Sequence, residues 1–100
     1  MAQLVTAKRV TIFADRLLEE IVLQHLEKLG ATGFTCTDCR GAGTHPVVQD
    51  LSVISQRVRI ETIVTPEIAG SIMDFIESPS YSNRAFTACV ETVEILPRSL

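Results

Sequence analysis

The sequence has no tryptophan, one tyrosine and five aromatic residues in all, too few and too scattered for a platform on which successive nucleic-acid bases stack. Nor does it carry a dense basic run. Nine Lys and Arg stand against twelve Asp and Glu, a formal net charge of −3, so a polyanion is repelled on average. Nucleic-acid binding is therefore not expected. No apolar stretch approaches the roughly 20 residues that cross a bilayer, and MAQLVTAKRV lacks the apolar centre and small-residue cleavage site of a secretory signal. A cytoplasmic location without membrane insertion is the resulting expectation. Three cysteines, an odd number without framework spacing, fit reduced thiols in that compartment.

What is present suits one packed domain over residues 1–100: 46% hydrophobic and 21% charged residues in a chain of common domain size. Val10, Ile12 and Ala14 alternate with Arg9, Thr11 and Phe13, which predicts a first strand over 9–14. From about Asp15 to Leu29, Leu18, Ile21, Val22, His25, Leu26 and Leu29 share one helix face, and Gly30 is placed to close the helix. Alternation resumes over Gly33 to Cys39 as a second strand. From Arg40 to about Leu51 no period holds, which gives a loop longer than the usual ~4 to 6 residues. A long third strand follows from Val53 to Val64, with Arg57, Arg59, Glu61 and Ile63 on one face. Thr65, Pro66 and Glu67 start a second helix whose stripe is Ile68, Ile72, Phe75 and Ile76, ending before Pro79. Residues 78–85 read as a turn. Phe86 to Ile95 is the last strand, and its apolar phase switches between Val90 and Val93, which predicts a bulge or burial on both faces.

The order β-α-β-β-α-β describes an α+β, ferredoxin-like plait with both helices on one sheet face. The other face, carrying Ile63, is open to water or to a partner, so oligomerisation is expected.

Residues 35–45, TCTDCRGAGTH, hold the densest chemistry. Cys36 and Cys39 are three apart on an extended strand, so their thiols point to opposite faces and cannot meet one metal ion or each other. They read as buried or half-buried small hydrophobes, as does Cys89. His25, on the apolar stripe, reads as a core-edge or interface histidine, and His45 as a solvated loop residue. No nucleophilic triad, general acid-base pair or metal set is visible, so no enzyme activity is expected. Arg40-Gly41-Ala42-Gly43 is different, because a basic residue followed by two glycines lets backbone N–H groups approach an anion closely. A flexible loop entry explains the same four residues.

GATGFTCTDCRGAG, the strand VRIETIV and the proline-led helix TPEIAGSIMDFI together resemble the PII and PII-like signalling proteins. The resemblance implies a homotrimer with an adenine nucleotide in each cleft between subunits, and a T-loop, here about 40–54, that engages a target protein. It places Thr35 near the adenine and Ile63 in the base pocket. Arg40, Gly41, Ala42 and Gly43 would stand beside the phosphates, with Arg84 as the basic phosphate-binding residue and Glu61 near it. The turn SPSYSNRA lacks the glycine-rich GDGK-like segment that holds a triphosphate in PII proteins, and the T-loop has no tyrosine, so ADP or AMP is favoured over ATP. The pattern is closer to the SbtB and carboxysome-associated PII-like proteins that serve inorganic carbon. Ending at Leu100 without the cysteine-bearing extension of many SbtB proteins, it is expected in the carboxysome-associated group. Bicarbonate is then a candidate second ligand, held by Arg40 with Arg57 or Arg59; a solvated charged strand face explains those arginines equally. The target, a membrane transporter among the candidates, is not legible. Other readings are a trimeric metal-tolerance protein of the CutA kind, using His and Cys for copper or zinc, and a ligand-binding plait of the ACT type.

Overall fold

The computed structural model describes residues 1–41, 55–81 and 86–100. The elements are β1 (Val5–Asp15), a 3-10 turn at Arg16–Leu18, α1 (Glu19–Lys28), β2 (Thr35–Gly41), β3 (Ser55–Val64), α2 (Pro66–Ile76), β4 (Thr87–Ile95) and a last 3-10 turn at Pro97–Ser99. The strands form one antiparallel sheet in the order β2-β3-β1-β4, the ferredoxin-like plait expected from the sequence. Even-numbered residues of the central strands, Val10, Ile12 and Ala14 of β1 with Val58, Ile60 and Val64 of β3, pack against Val22 and Leu26 of α1 and Ala69, Ile72 and Ile76 of α2. Both helices thus cover the same face. Ile12, Ile60 and Ile72 are fully buried, each stabilising the fold by roughly 1.5–3 kcal/mol through the apolar surface removed from water.

Local chemistry sets the helix ends. The Asp15 carboxylate accepts from the Leu17 N–H at 2.9 Å and starts the turn into α1. Thr65 Oγ1 accepts from the Ile68 N–H at 3.3 Å ahead of Pro66, which needs no N–H partner in the first turn. At the end of α1 the Ala31 N–H reaches the Leu26 carbonyl at 3.0 Å and the Gly30 N–H reaches Glu27 at 3.1 Å. This paired closure needs a left-handed residue, and Gly30 supplies it with φ 106°.

Four expectations change. β1 runs from Val5 rather than Arg9, because β4 pairs with it as far as Ile95 and orders residues that carry no period of their own. β2 is shifted two residues later, to Thr35–Gly41. β4 has no bulge: its register with β1 is unbroken from Thr87 to Ile95. Val93 and Ile95 stand opposite Ala7 and Val5 on the face away from the helices, where Ala7 and Ile95 are buried, so of the two expected alternatives the phase switch marks burial on both faces and not an inserted residue. Finally, Ile21 is exposed while its stripe neighbours Val22 and Leu26 are buried, because α1 turns that edge outward. Residues 53 and 54 lie outside the described residues.

His25 sits at the core edge as expected. Its ring stacks on Phe75 at 4.6 Å, Phe75 meets Tyr81 edge-on at 4.7 Å, and Tyr81 leans on Phe86 at 5.5 Å. Nδ1 lies 2.9 Å from the Ile21 carbonyl oxygen, which assigns its proton as donor to that acceptor. This ring group ties α1 to α2 and to the entry of β4.

Replacing Gly30 by Ala imposes a left-handed conformation on an L residue and brings the new Cβ to 3.1 Å from Ile68 Cδ1. A loss of about 1–2 kcal/mol is expected, measured as a lower urea midpoint at unchanged m-value. Adding Ile68→Val should recover only a minor part, because the backbone cost remains.

Candidate functional site

Odd-numbered strand residues share the face away from the helices, and the registers arrange them in rows. One row runs Thr35, Glu61, Thr11, Cys89; the next runs Ile63, Arg9, Glu91. Between the rows, charges interlock. Arg59 Nε lies 3.3 Å from Glu61 Oε1, Glu61 Oε2 lies 3.8 Å from Arg9 Nε, and Arg9 Nη2 donates to both Glu91 oxygens at 3.0 and 3.1 Å. These half-exposed pairs are individually worth ~1 kcal/mol or less, and their effect is to fix where the guanidinium groups point.

β2 begins at Thr35, opposite Glu61, whereas β3 runs on to Val64. Beyond Glu61 the sheet thus loses one strand, and the chain before β2 is tied instead by Thr62 Oγ1, which donates to the Gly33 carbonyl at 2.7 Å. A cleft of about 420 Å³ opens in this gap, lined by residues 32–35 and 61–63 with Arg9 and Ser99. Ile63 offers it apolar surface, Thr35 a hydroxyl, Glu61 a carboxylate, and the turn before β2 its backbone polar groups. Such a mixture suits a flat heterocycle with amine donors. Among the described residues the sole cation on the cleft is Arg9, and two carboxylates already hold it. Among those residues the cleft has no spare positive charge for phosphates.

Further cations lie elsewhere. A second pocket, of about 160 Å³, is lined by Arg16, Asp38, Cys39, Arg40, Gln56 and Arg57. Arg40 is five residues from Thr35 along β2, about 16 Å at strand rise, and on the alternate face. It is exposed and meets no carboxylate among the described residues. Arg57 is 7% exposed and donates from Nη2 to the Phe13 carbonyl at 3.2 Å. Gly41 pairs with Ser55 in the last described row of β2 and β3, and among the described residues a Cβ there would meet nothing within 4 Å.

The structure therefore brings Thr35, Glu61 and Ile63 together and sets Arg40 apart from them with Arg57. Arg59 joins neither pocket: it is bound to Glu61, with its guanidinium carbon 5.9 Å from the Phe13 ring centroid. Ala42, Gly43, His45 and Arg84, with most of the segment 40–54, lie outside the described residues. Sequence reasoning overlooked Arg9, Thr32, Thr62, Ser99 and Arg16. Arg9 was within reach, since it falls in phase with Thr11 on β1; the others depend on which strand ends first and on how turns pack.

Two cysteines depart from expectation in burial. Cys36 and Cys89 are exposed, whereas Cys39 is half-buried as expected, and all three are free thiols. The reason is topological: β2 and β4 are the sheet's two edges, beyond the cover of the helices. Among the described residues no three of His, Cys, Asp and Glu form a group able to hold a metal ion, and no helix is long and apolar enough to cross a membrane.

The family model for the nitrogen regulatory protein P-II matches residues 7–98. No curated protein matches the sequence. Among solved structures, a candidate PII-like signaling protein from Thermus thermophilus is 35% identical, covers 96% of this chain and 94% of its own, and superposes with a TM-score of 0.78. CPII, a nitrogen regulatory PII-like protein from Thiomonas intermedia, bound to ADP and bicarbonate, is 18% identical over 98% of this chain and 96% of its own, with a TM-score of 0.80. GlnK of B. subtilis, at 18% identity over 89% of this chain and 86% of its own, gives 0.62. The last two share the fold.

Partial shielding, and secondly the Glu19 carboxylate, push the Cys36 thiol above its ordinary value. At a given pH the thiolate fraction is thus smaller than that of an unperturbed thiol, and alkylation is slower. Glu19→Gln removes the carboxylate and should speed Cys36 alkylation at pH 8, with the pH–rate midpoint moving down; mass-mapped iodoacetamide labelling reads both.

Proposed function

The chain belongs to the nitrogen regulatory protein P-II family, and from that premise we propose that it is a non-catalytic signalling regulator that binds an adenine nucleotide between copies of itself. One observation carries this reading. Thr35 and Ile63, the residues that the family resemblance assigns to the base, line a single cleft together with Glu61, and among the described residues that cleft has no free cation. Arg40, which meets no carboxylate among the described residues, stands at the opposite end of β2. A nucleotide needs both halves, so the base from one copy and the phosphates from its neighbour meet at the seam, and a ring of three copies closes the set. Arg40, Gly41, Ala42 and Gly43 with Arg84 hold the phosphates, ADP or AMP in preference to ATP.

The chain acts as one PII-like unit over 1–100, with residues 40–54 as its T-loop. Nucleotide contacts made only by the ordered loop shift its population and so govern a protein target. CPII, which shares the fold, is described bound to ADP, AMP and bicarbonate; on that basis bicarbonate is the second ligand, near Arg40 and Arg57 with Arg59 on the same strand. The regulated process is then inorganic-carbon metabolism in the cytoplasm, in the manner of the carboxysome-associated proteins.

Calorimetry with ADP, AMP and ATP, each with and without bicarbonate, tests this reading. Saturable adenylate binding by a species of three-chain mass is expected, and a monomer indifferent to all three would refute it. Arg40→Ala should lower ADP affinity roughly tenfold or more, as loss of a charge-assisted phosphate contact does, with an unchanged thermal midpoint. Equal affinity in that variant removes Arg40 from the site.

A further inference from the structure

The core row of β3 runs Val58, Ile60, Thr62 and Val64, and all four are buried. Three of them are aliphatic. Valine has nearly the shape of threonine and would fill the third position, whereas a buried hydroxyl costs free energy unless it is hydrogen-bonded. The Thr62 hydroxyl is so bonded, donating to the Gly33 carbonyl at 2.7 Å. We propose that this bond is the strut that sets the width of the cleft beside it, which makes Thr62 a positioning residue for the base of the bound nucleotide. The inference rests on the nucleotide reading above and adds to it the group that holds the base half in shape.

Where the bond lies carries the argument. Thr62 is the first residue of β3 past the end of β2, whose ladder starts at Thr35 opposite Glu61. On its other side Thr62 stands in register with Val10 of β1, so it belongs to the centre of the sheet. Residues 32–34 have no place in any ladder. The cleft has these two parts as its walls, residues 32–35 on one side and 61–63 on the other, and one short hydrogen bond ties wall to wall. The ends of the turn are held separately: the Ala31 N–H reaches the Leu26 carbonyl, and Phe34 packs against the core. Gly33, between them, has no side chain to pack, and among the described residues a Cβ there would meet nothing within 4 Å. Its carbonyl is the one handle by which the sheet grips it. Thr62 is only 3% exposed, too covered to offer a ligand much contact of its own. It acts instead through the turn, and so on Thr35, which follows two residues later at the edge of the same cleft.

The test pairs calorimetry of the full chain with ADP and AMP against hydrogen exchange of the ligand-free protein, read by mass spectrometry, for the parent, Thr62→Val and Thr62→Ser. Thr62→Val keeps the buried methyl groups and loses the hydroxyl. It should weaken ADP and AMP by the same factor, about fivefold, as loss of one hydrogen bond does, because both ligands carry the same base. Exchange over residues 32–35 should quicken in this variant before any nucleotide is added. Thr62→Ser keeps the hydroxyl and loses a methyl, so it should bind both nucleotides as the parent does and show parent exchange at 32–35, even where its thermal midpoint falls. Parent affinity in Thr62→Val overturns the proposal. So does a loss confined to ADP, which would place the effect at the phosphates, or a loss with unchanged exchange at 32–35, which would make Thr62 a direct ligand contact. A parent chain that binds neither nucleotide sinks the nucleotide reading and this inference with it, whereas a binding parent with an unaffected Thr62→Val sinks this inference alone.

Discussion

The double registry of β1 governs the molecule. Flanked by β3 on one side and β4 on the other, this strand fixes through two continuous ladders which residues stand side by side over the sheet. Because side chains alternate with a period of two, a slip of one residue in either ladder would send Val10, Ile12 and Ala14 to water and Arg9 and Phe13 into the helices. The buried isoleucines oppose such a slip far more strongly than the ion pairs do. Placement of Arg9 between Glu61 and Glu91 is thus a consequence of core packing rather than of charge.

From that registry follows the division of the candidate site. Odd positions of β1 and β3 supply a row of paired charges that neutralise one another, and the cleft at the start of β2 inherits a surface with polar edges and, among the described residues, no surplus cation. Arg40 stands at the far end of β2 without a carboxylate among the described residues, and the turn into α1 adds Arg16 there. One protomer holds two complementary halves about as far apart as a strand is long. Under the proposed reading, that separation turns association from an embellishment into a condition for completing a nucleotide site.

Much of the fold was legible because its signals are local. Thr65-Pro66 and Gly30 announce helix ends through backbone chemistry, and the alternation of β3 announces which face carries Arg57, Arg59 and Glu61. What depended on the edges was not legible. The exposure of Cys36 and Cys89 follows from strand order, which no short window of sequence contains. The phase switch at Val93 and Ile95 left a bulge and burial on both faces open, and only the unbroken ladder with Ala7 and Val5 decides for the second. In the site, Thr35, Glu61 and Ile63 were recoverable from the family pattern. Arg16 was missed, and the contact of Arg59 with Glu61 was not legible, because strand phase says which face a guanidinium leaves from and not which carboxylate captures it.

The pairing of Gly41 with Ser55 means that the intervening segment departs from and returns to adjacent points of the sheet. Its ends are brought together by the ladder itself, so a doubling of its length adds only about 0.6 kcal/mol of closure entropy. The length of the chain between Gly41 and Ser55 is therefore a cheap variable, one that can change without disturbing the ladder that anchors both ends.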